Sequence, residues 1–270
     1  MANHKKKQNH HFRAIWISDT HLGTKHCNAK FLADFLASTT SEYLYLVGDI
    51  VDLWAMKKSV YWPRQHTHVL QLIQKKADNN TKVIYSPGNH DSALRAFNGK
   101  DIGNIQVKNI TKHVTLDKRQ LLVLHGDQFD SLMTAHCGNW LNLMGDLGYD
   151  FLLCINRYLR HIRRIFGFRY WSLASFIKNS IKNAMQHISV YEQLLSGMAR
   201  EHQVEGVICG HIHYPHLRKI QGIEYFNTGD WVEHCTALVE TTKGEIKLIR
   251  WTEFMEMVNP EESTPINIAA

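Results

Sequence analysis

Cysteine is scarce in this chain, and its spacing offers no pairs. There are 5 cysteines in 270 residues, at Cys27, Cys137, Cys154, Cys209 and Cys235. The number is odd and no CxxC occurs, which argues against a disulfide framework and against a thiolate zinc site and for a reducing compartment. Proline is as rare, at 5, and together with 16 glycines and 10% aromatic residues this excludes disorder as the overall state. No run of about 18 uncharged apolar residues occurs, so no segment is expected to span a bilayer. The basic start through Lys5, Lys6 and Lys7 is not followed by a signal-type apolar stretch before Arg13. A cytoplasmic protein is expected, with peripheral attachment to the inner face of the cytoplasmic membrane left open.

What is present is ordinary globular material with two excesses. Hydrophobic residues make up 44% and charged residues 21%, enough for a sizeable core. The 18 histidines suit metal ligation, and the net charge of +6 suits anionic partners. Along the chain one pattern recurs: a short apolar run ending in a polar cluster. Residues 12–18 lead to Asp19-Thr20-His21, 43–47 to Gly48-Asp49-Ile50-Val51-Asp52, and 82–85 to Gly88-Asn89-His90-Asp91. Residues 121–124 lead to His125-Gly126-Asp127, and 207–209 to Gly210-His211-Ile212-His213. Helical stretches at 31–36 and 68–77 separate several of these runs, so the pattern predicts an α/β sheet whose strand ends deliver polar groups to one crevice.

Any one of these clusters is more often a capped turn than a ligand pair. As a set, carboxylates, one amide and five imidazoles brought to one edge would be costly unless a metal compensates them. Nitrogen and oxygen donors without thiolate suit manganese, iron or zinc, and there are too many for one ion. The five motifs together resemble the calcineurin-like metallophosphoesterases, over residues 12 to about 130 and about 205 to 250. That resemblance implies a four-layer α-β-β-α sandwich of two mixed sheets. It also implies two divalent ions, manganese first, with iron or zinc as alternatives. Asp19, His21 and His213 would hold one ion and Asn89, His125 and His211 the other, with Asp49 bridging. His90 would contact the phosphate and the leaving oxygen, Asp52 would orient its ring, and Asp91 would add support as a third catalytic residue. A water activated between the ions would attack phosphorus, with no serine or cysteine nucleophile.

Between the fourth and fifth motifs the pattern changes to helical periodicity, first from Phe151 to Phe166 and then from Leu173 to Met198. The chain is therefore expected to be a single domain, 1–270, with a helical insertion at 131–204 acting as a lid. Residues 151–191 carry Arg157, Arg160, Arg163, Arg164, Arg169, Lys178 and Lys182 and no acidic residue, which leaves 24 basic against 25 acidic residues elsewhere. Aromatic residues interleave with these charges, in a pattern suited to a membrane interface or to a substrate with acyl chains and phosphates. Arg157, Arg160 and Arg164 are the candidate substrate-binding residues.

The insertion, together with Asn227-Thr228-Gly229-Asp230-Trp231, is similar to the UDP-2,3-diacylglucosamine diphosphatases, which implies cleavage of a lipid-linked nucleotide diphosphate to UMP and a lipid phosphate. This chain departs from the best-known members in carrying His90 where they have arginine. The alternatives are a soluble nucleotide, cyclic nucleotide, phosphoprotein or nucleic-acid substrate, or a non-catalytic scaffold of the same fold.

Overall fold

A computed structural model describes residues 10–131 and 173–258, without the side chains of residues 173–184 and 255–258. The chain divides into two compact units, residues 1–127 with 195–270, and residues 128–194. In the first unit the strands are β1 (His10–Ile17), β2 (Thr39–Leu46), β3 (Lys82–Tyr85), β4 (Asp101–Ile102), β5 (Ile105–Val107), β6 (Thr111–Val114), β7 (Gln120–Val123), β8 (Gly206–Cys209), β9 (His216–Ile220), β10 (Ile223–Asn227), β11 (Thr236–Glu240) and β12 (Ile246–Arg250). The helices are α1 (Ala29–Ser38), α2 (Leu53–Lys58), α3 (Arg64–Asp78), α4 (Leu173–Glu201), which runs across both units, and α5 (Trp251–Val258).

The strands form two sheets. One has seven strands in the order β12-β11-β1-β2-β3-β5-β4, the other five in the order β6-β7-β8-β10-β9. Each is parallel at its centre and antiparallel at its margins: β1, β2, β3 and β5 run parallel, as do β7, β8 and β10. Parallel neighbours need crossovers, and α1 and α3 supply them between β1 and β2 and between β2 and β3. The five apolar runs anticipated above are β1, β2, β3, β7 and β8. Their carboxyl-terminal loops come from two sheets, three from one and two from the other.

Strand side chains alternate between faces, and that alternation produces two cores. Ala14, Trp16, Tyr45, Val47 and Ile84 from the first sheet pack with Leu121, Val123, Ile208 and Phe226 from the second. The opposite face of the larger sheet, with Ile15, Ile17, Leu44, Leu46 and Val83, packs with Leu32, Phe35 and Leu36 of α1 and Val69, Ile73 and Ala77 of α3. The four-residue spacing of the α3 residues puts them on one stripe of that helix. The described residues end in α5, which opens at Trp251. Trp251 is buried and meets Phe35 edge to face with ring centroids 5.2 Å apart.

In α4 the apolar period is visible in the burial of Tyr191, Leu195 and Ala199. Met185, part of the same sequence period, is instead exposed. The helix expected over residues 151–166 lies outside the described residues. Among the described residues no helix is long and apolar enough to cross a membrane.

Candidate metal centre

The loops that follow β1 and β2 are bonded to one another beyond the sheet. Asp19 N–H donates to Gly48 O at 3.0 Å, His21 N–H to Asp49 O at 2.9 Å, Leu22 N–H to Ile50 O at 2.9 Å, and Asp52 N–H to Leu22 O at 2.7 Å. On the other sheet Gly210 N–H donates to His125 O at 3.1 Å, joining the loops after β7 and β8. Five residues of these loops, Asp19, His21, Asp49, His211 and His213, have φ between 48° and 71°. Left-handed backbone costs a non-glycine residue about 1–2 kcal/mol, and such strain concentrates at functional sites.

Two glycines let the loops of opposite sheets approach. A Cβ on Gly48, whose φ is +80°, would lie 2.3 Å from His125 Nδ1. One on Gly210 would lie 2.4 Å from Asp19 Oδ2. Both are sites of close backbone approach.

The resulting cluster has three overlapping sets of donor atoms, each within 4.8 Å of one another: Asp19, His21 and His213; His21, Asp49 and His90; Asp49, His125 and His211. Asp49 Oδ2 lies 3.3 Å from His125 Nε2 and 4.0 Å from His21 Nε2, between the two outer sets. Its other oxygen accepts the His90 backbone N–H at 2.8 Å. Asn89 joins the second set, with Oδ1 3.3 Å from His125 Nε2. His21 Nε2 and His213 Nε2 are 3.3 Å apart. Every sequence candidate in the described residues is thus brought to one cluster, except that Asp52 and Asp91 stand behind it. Arg157, Arg160 and Arg164 lie outside the described residues.

Hydrogen bonds outside the cluster orient the rings. A carbonyl can only accept, so His125 Nδ1–H donates to Val47 O at 2.8 Å and presents Nε2 to the cluster. His21 Nδ1–H donates likewise to Asp52 Oδ2 at 2.9 Å. The same Asp52 oxygen lies 2.9 Å from His90 Nδ1. Asp52 therefore serves two rings, where the sequence suggested one. Asp91 accepts from Gly88 N at 2.6 Å, from Ile50 N at 2.8 Å and from the Tyr85 hydroxyl. Its carboxylate ties the loops after β2 and β3 together, which is a supporting role rather than contact with a reacting group.

Sequence reasoning missed Asp230. It accepts three backbone N–H groups, from Val232, Glu233 and His234, and lies 3.8 Å from His213 Nδ1. The Gly-Asp-Trp run was a signal for it. His66 is buried and accepts the Gly23 N–H at 3.0 Å, bracing the loop after β1.

Charge compensation is a test of whether cations fit here. Among the described residues Asp19 and Asp49 pair with no lysine or arginine, and Asp19 Oδ1 is buried without a hydrogen bond, 3.2 Å from His213 Nε2. Burial alone would push both carboxyls up. The neighbouring histidines, His213 for Asp19 and His125 for Asp49, outweigh it and hold both below the usual range. In turn burial would lower His125 and His213, but Asp49 and Asp19 raise them to about 10 and about 8. The carboxylates thus take their counter-charge from protons on would-be ligands, a place divalent ions fit with nitrogen and oxygen donors. His90 is raised as well. Burial opposes this, and the neighbouring Asp52 and Asp49 carboxylates prevail.

A sequence model of the family described as "Calcineurin-like phosphoesterase" matches residues 12–215. Curated proteins named UDP-2,3-diacylglucosamine hydrolase are similar to the chain. The one from Neisseria gonorrhoeae is 25% identical over 81% of this chain and 89% of its own length. That from Edwardsiella ictaluri is 28% identical over 75% and 76%. That from Porphyromonas gingivalis is 29% identical, over 43% of this chain and 46% of its own length.

Proposed function

This chain belongs to the calcineurin-like phosphoesterase family and is a metal-dependent hydrolase, and from that premise we propose that it cleaves the diphosphate of UDP-2,3-diacylglucosamine, or a similar lipid-linked nucleotide diphosphate, to UMP and a lipid phosphate. The observation that carries the substrate is the alignment with hydrolases of that name over most of both chains. The chemistry is supported by the two donor sets that share Asp49.

In this reading Asp19, His21, Asp49 and His213 would hold one divalent ion, and Asp49, Asn89, His125 and His211 a second, manganese being the first candidate. When bound, such ions supply Lewis-acid polarisation of the phosphoryl group and acidify water. The chain's own residues do the rest. Asp49 sets the separation of the two sets. Asp52 accepts the His21 Nδ1–H and places its carboxylate 2.9 Å from His90 Nδ1, which leaves His90 Nε2 to carry a proton to the leaving oxygen. Without the ions, Asp52 and Asp49 raise the proton affinity of His90 above that of an ordinary histidine. Arg157, Arg160 and Arg164 are proposed to bind the anionic substrate, at the inner face of the cytoplasmic membrane.

The test is hydrolysis of UDP-2,3-diacylglucosamine, measured as UMP release, beside hydrolysis of bis-p-nitrophenyl phosphate. Manganese-dependent UMP release is expected, and it should stop when metal is removed with a chelator. Turnover of the simple diester without UMP release would refute the lipid substrate and keep the hydrolase.

A further inference from the structure

An apolar and cationic surface lies directly beside the candidate centre. Residue 52 caps α2 and also holds His21 and His90, and the chain beyond it carries no acidic residue from 53 to 77. Trp54 is 43% exposed, Val60 70% and Tyr61 39%. Lys57 and Lys58 are exposed among them. Lys58 Nζ stands 3.8 Å over the Trp54 ring, and Lys25 Nζ lies 5.9 Å from the centre of the Tyr61 ring. Trp54 in turn meets His90 edge to face with centroids 5.5 Å apart, and its backbone N–H donates to His90 O at 3.2 Å.

The loop is held in this form by its neighbours. Trp62 Nε1–H donates to Thr67 Oγ1 at 3.0 Å and its ring packs edge-on to the buried His66, 5.4 Å between centroids. Tyr61 also meets His66 edge-on, 5.9 Å between centroids, yet it remains part exposed, and Val60 beside it is largely open to solvent. Large apolar side chains left exposed side by side mark an interaction surface. Tryptophan and tyrosine with lysines between them, and no carboxylate, complement an anionic lipid interface, where the rings sit at headgroup depth and the lysines meet phosphates.

We propose that residues 54–61, with Lys25, dock this protein on an anionic bilayer. The proposal builds on the lipid-linked substrate reading and adds a surface distinct from the basic insertion. Because the patch begins two residues after Asp52 and touches His90, docking would hold the centre at the height of lipid headgroups. A lipid diphosphate could then be reached without leaving the bilayer.

The test is density-gradient flotation of the full chain with vesicles of phosphatidylglycerol and phosphatidylethanolamine, against vesicles of phosphatidylcholine alone. The wild type is expected to float with the anionic vesicles. Each lysine near such a surface contributes roughly fivefold in partitioning, so Lys57→Gln/Lys58→Gln should weaken binding about thirtyfold. Val60→Ser/Tyr61→Ser should weaken it by about tenfold or more. Turnover of bis-p-nitrophenyl phosphate should stay unchanged in both double variants.

Failure of the wild type to float, or flotation of both double variants like the wild type, overturns the docking surface. So does loss of flotation in Arg157→Gln/Arg160→Gln/Arg164→Gln but not in the loop variants. Loop-dependent flotation without UMP release supports the surface while the substrate reading fails. UMP release in detergent with flotation unaffected by the loop variants overturns the surface and keeps the substrate.

Discussion

Asp52 uses one carboxylate oxygen for two histidines, and that sharing separates two kinds of failure. His21 belongs to a donor set and His90 faces the reacting group in the proposed mechanism, both at 2.9 Å from Asp52 Oδ2. Removing His90 should leave metal content unchanged and lower turnover of bis-p-nitrophenyl phosphate about 10²–10⁴-fold, the range typical of a proton donor. Asp52→Asn should lower turnover and also weaken metal affinity about 10–100-fold, as loss of an orienting partner does. Metal content by mass spectrometry, measured beside turnover, distinguishes the two.

The pH profile follows from the same oxygen. His90 is raised above the ordinary histidine value, so its proton is present below that raised value and lost as pH rises through it. Activity that depends on this proton should fall on the alkaline side, and His90→Ala should flatten that limb. An unchanged profile in the variant would remove His90 from proton transfer.

The loops act as elements because glycines let them interlock. Gly210 has no room for a Cβ beside Asp19 Oδ2 and Ser18 Oγ, both at 2.4 Å from its ideal position. Gly210→Ala is therefore expected to displace Asp19 and weaken the Asp19, His21 and His213 set by about tenfold or more in metal affinity. Gly197, within α4, has nothing within 4 Å of an added Cβ. Gly197→Ala should leave metal binding intact and stabilise the helix by about 0.5–1 kcal/mol. Titration of metal into the stripped protein, with denaturant melts of both variants, checks the pair. Equal effects of the two alanines would mean that the close approach at Gly210 has no role. The loops after β3 and β7 are joined independently, since Arg95 Nη2 donates to both Asp127 oxygens at 2.7 Å.

At the scale of the whole molecule, two facing sheets must keep their loops in register, and a buried polar network does part of that work. Glu240 of β11 accepts Arg13 Nη1 at 2.5 Å, His113 Nε2 at 2.9 Å and Leu116 N at 2.7 Å. The Tyr45 hydroxyl lies 2.9 Å from His113 Nδ1. Arg13, Tyr45 and Glu240 belong to the larger sheet and His113 to the smaller, so the network bridges them. Burial would raise the Glu240 carboxyl, but the hydrogen bonds from His113, Leu116 and Arg13 outweigh it and hold it below the usual value.

A lowered folded value contributes stability that is complete above the ordinary glutamate range and lost as pH falls through the folded value. Glu240→Gln should cost about 3–5 kcal/mol at neutral pH, as breaking a buried pair does. The gap to wild type should narrow in acid. Urea melts at pH 7 and pH 4 measure this, and a gap independent of pH would contradict it.

The order of the five motif loops, the donor types they carry and the apolar runs before them were legible in the sequence, because strand burial and loop punctuation leave local marks. β3 was read with its bounds, and α1 and α3 were anticipated from their apolar spacing. β4, with two residues, and β9, with two exposed positions, leave no such mark. Nor does the sequence say that the loops come from two sheets, that Asp52 serves two rings, or that Asp91 faces inward to backbone amides. Positive φ at Asp19, His21, Asp49, His211 and His213 is equally invisible, since these residue types do not require it. The sequence by itself determined which donors exist and in what order. Only the tertiary structure decided which of them meet, because that depends on strand pairing and sheet packing between residues as far apart as Asp19 and His213, and no local rule reaches across that distance.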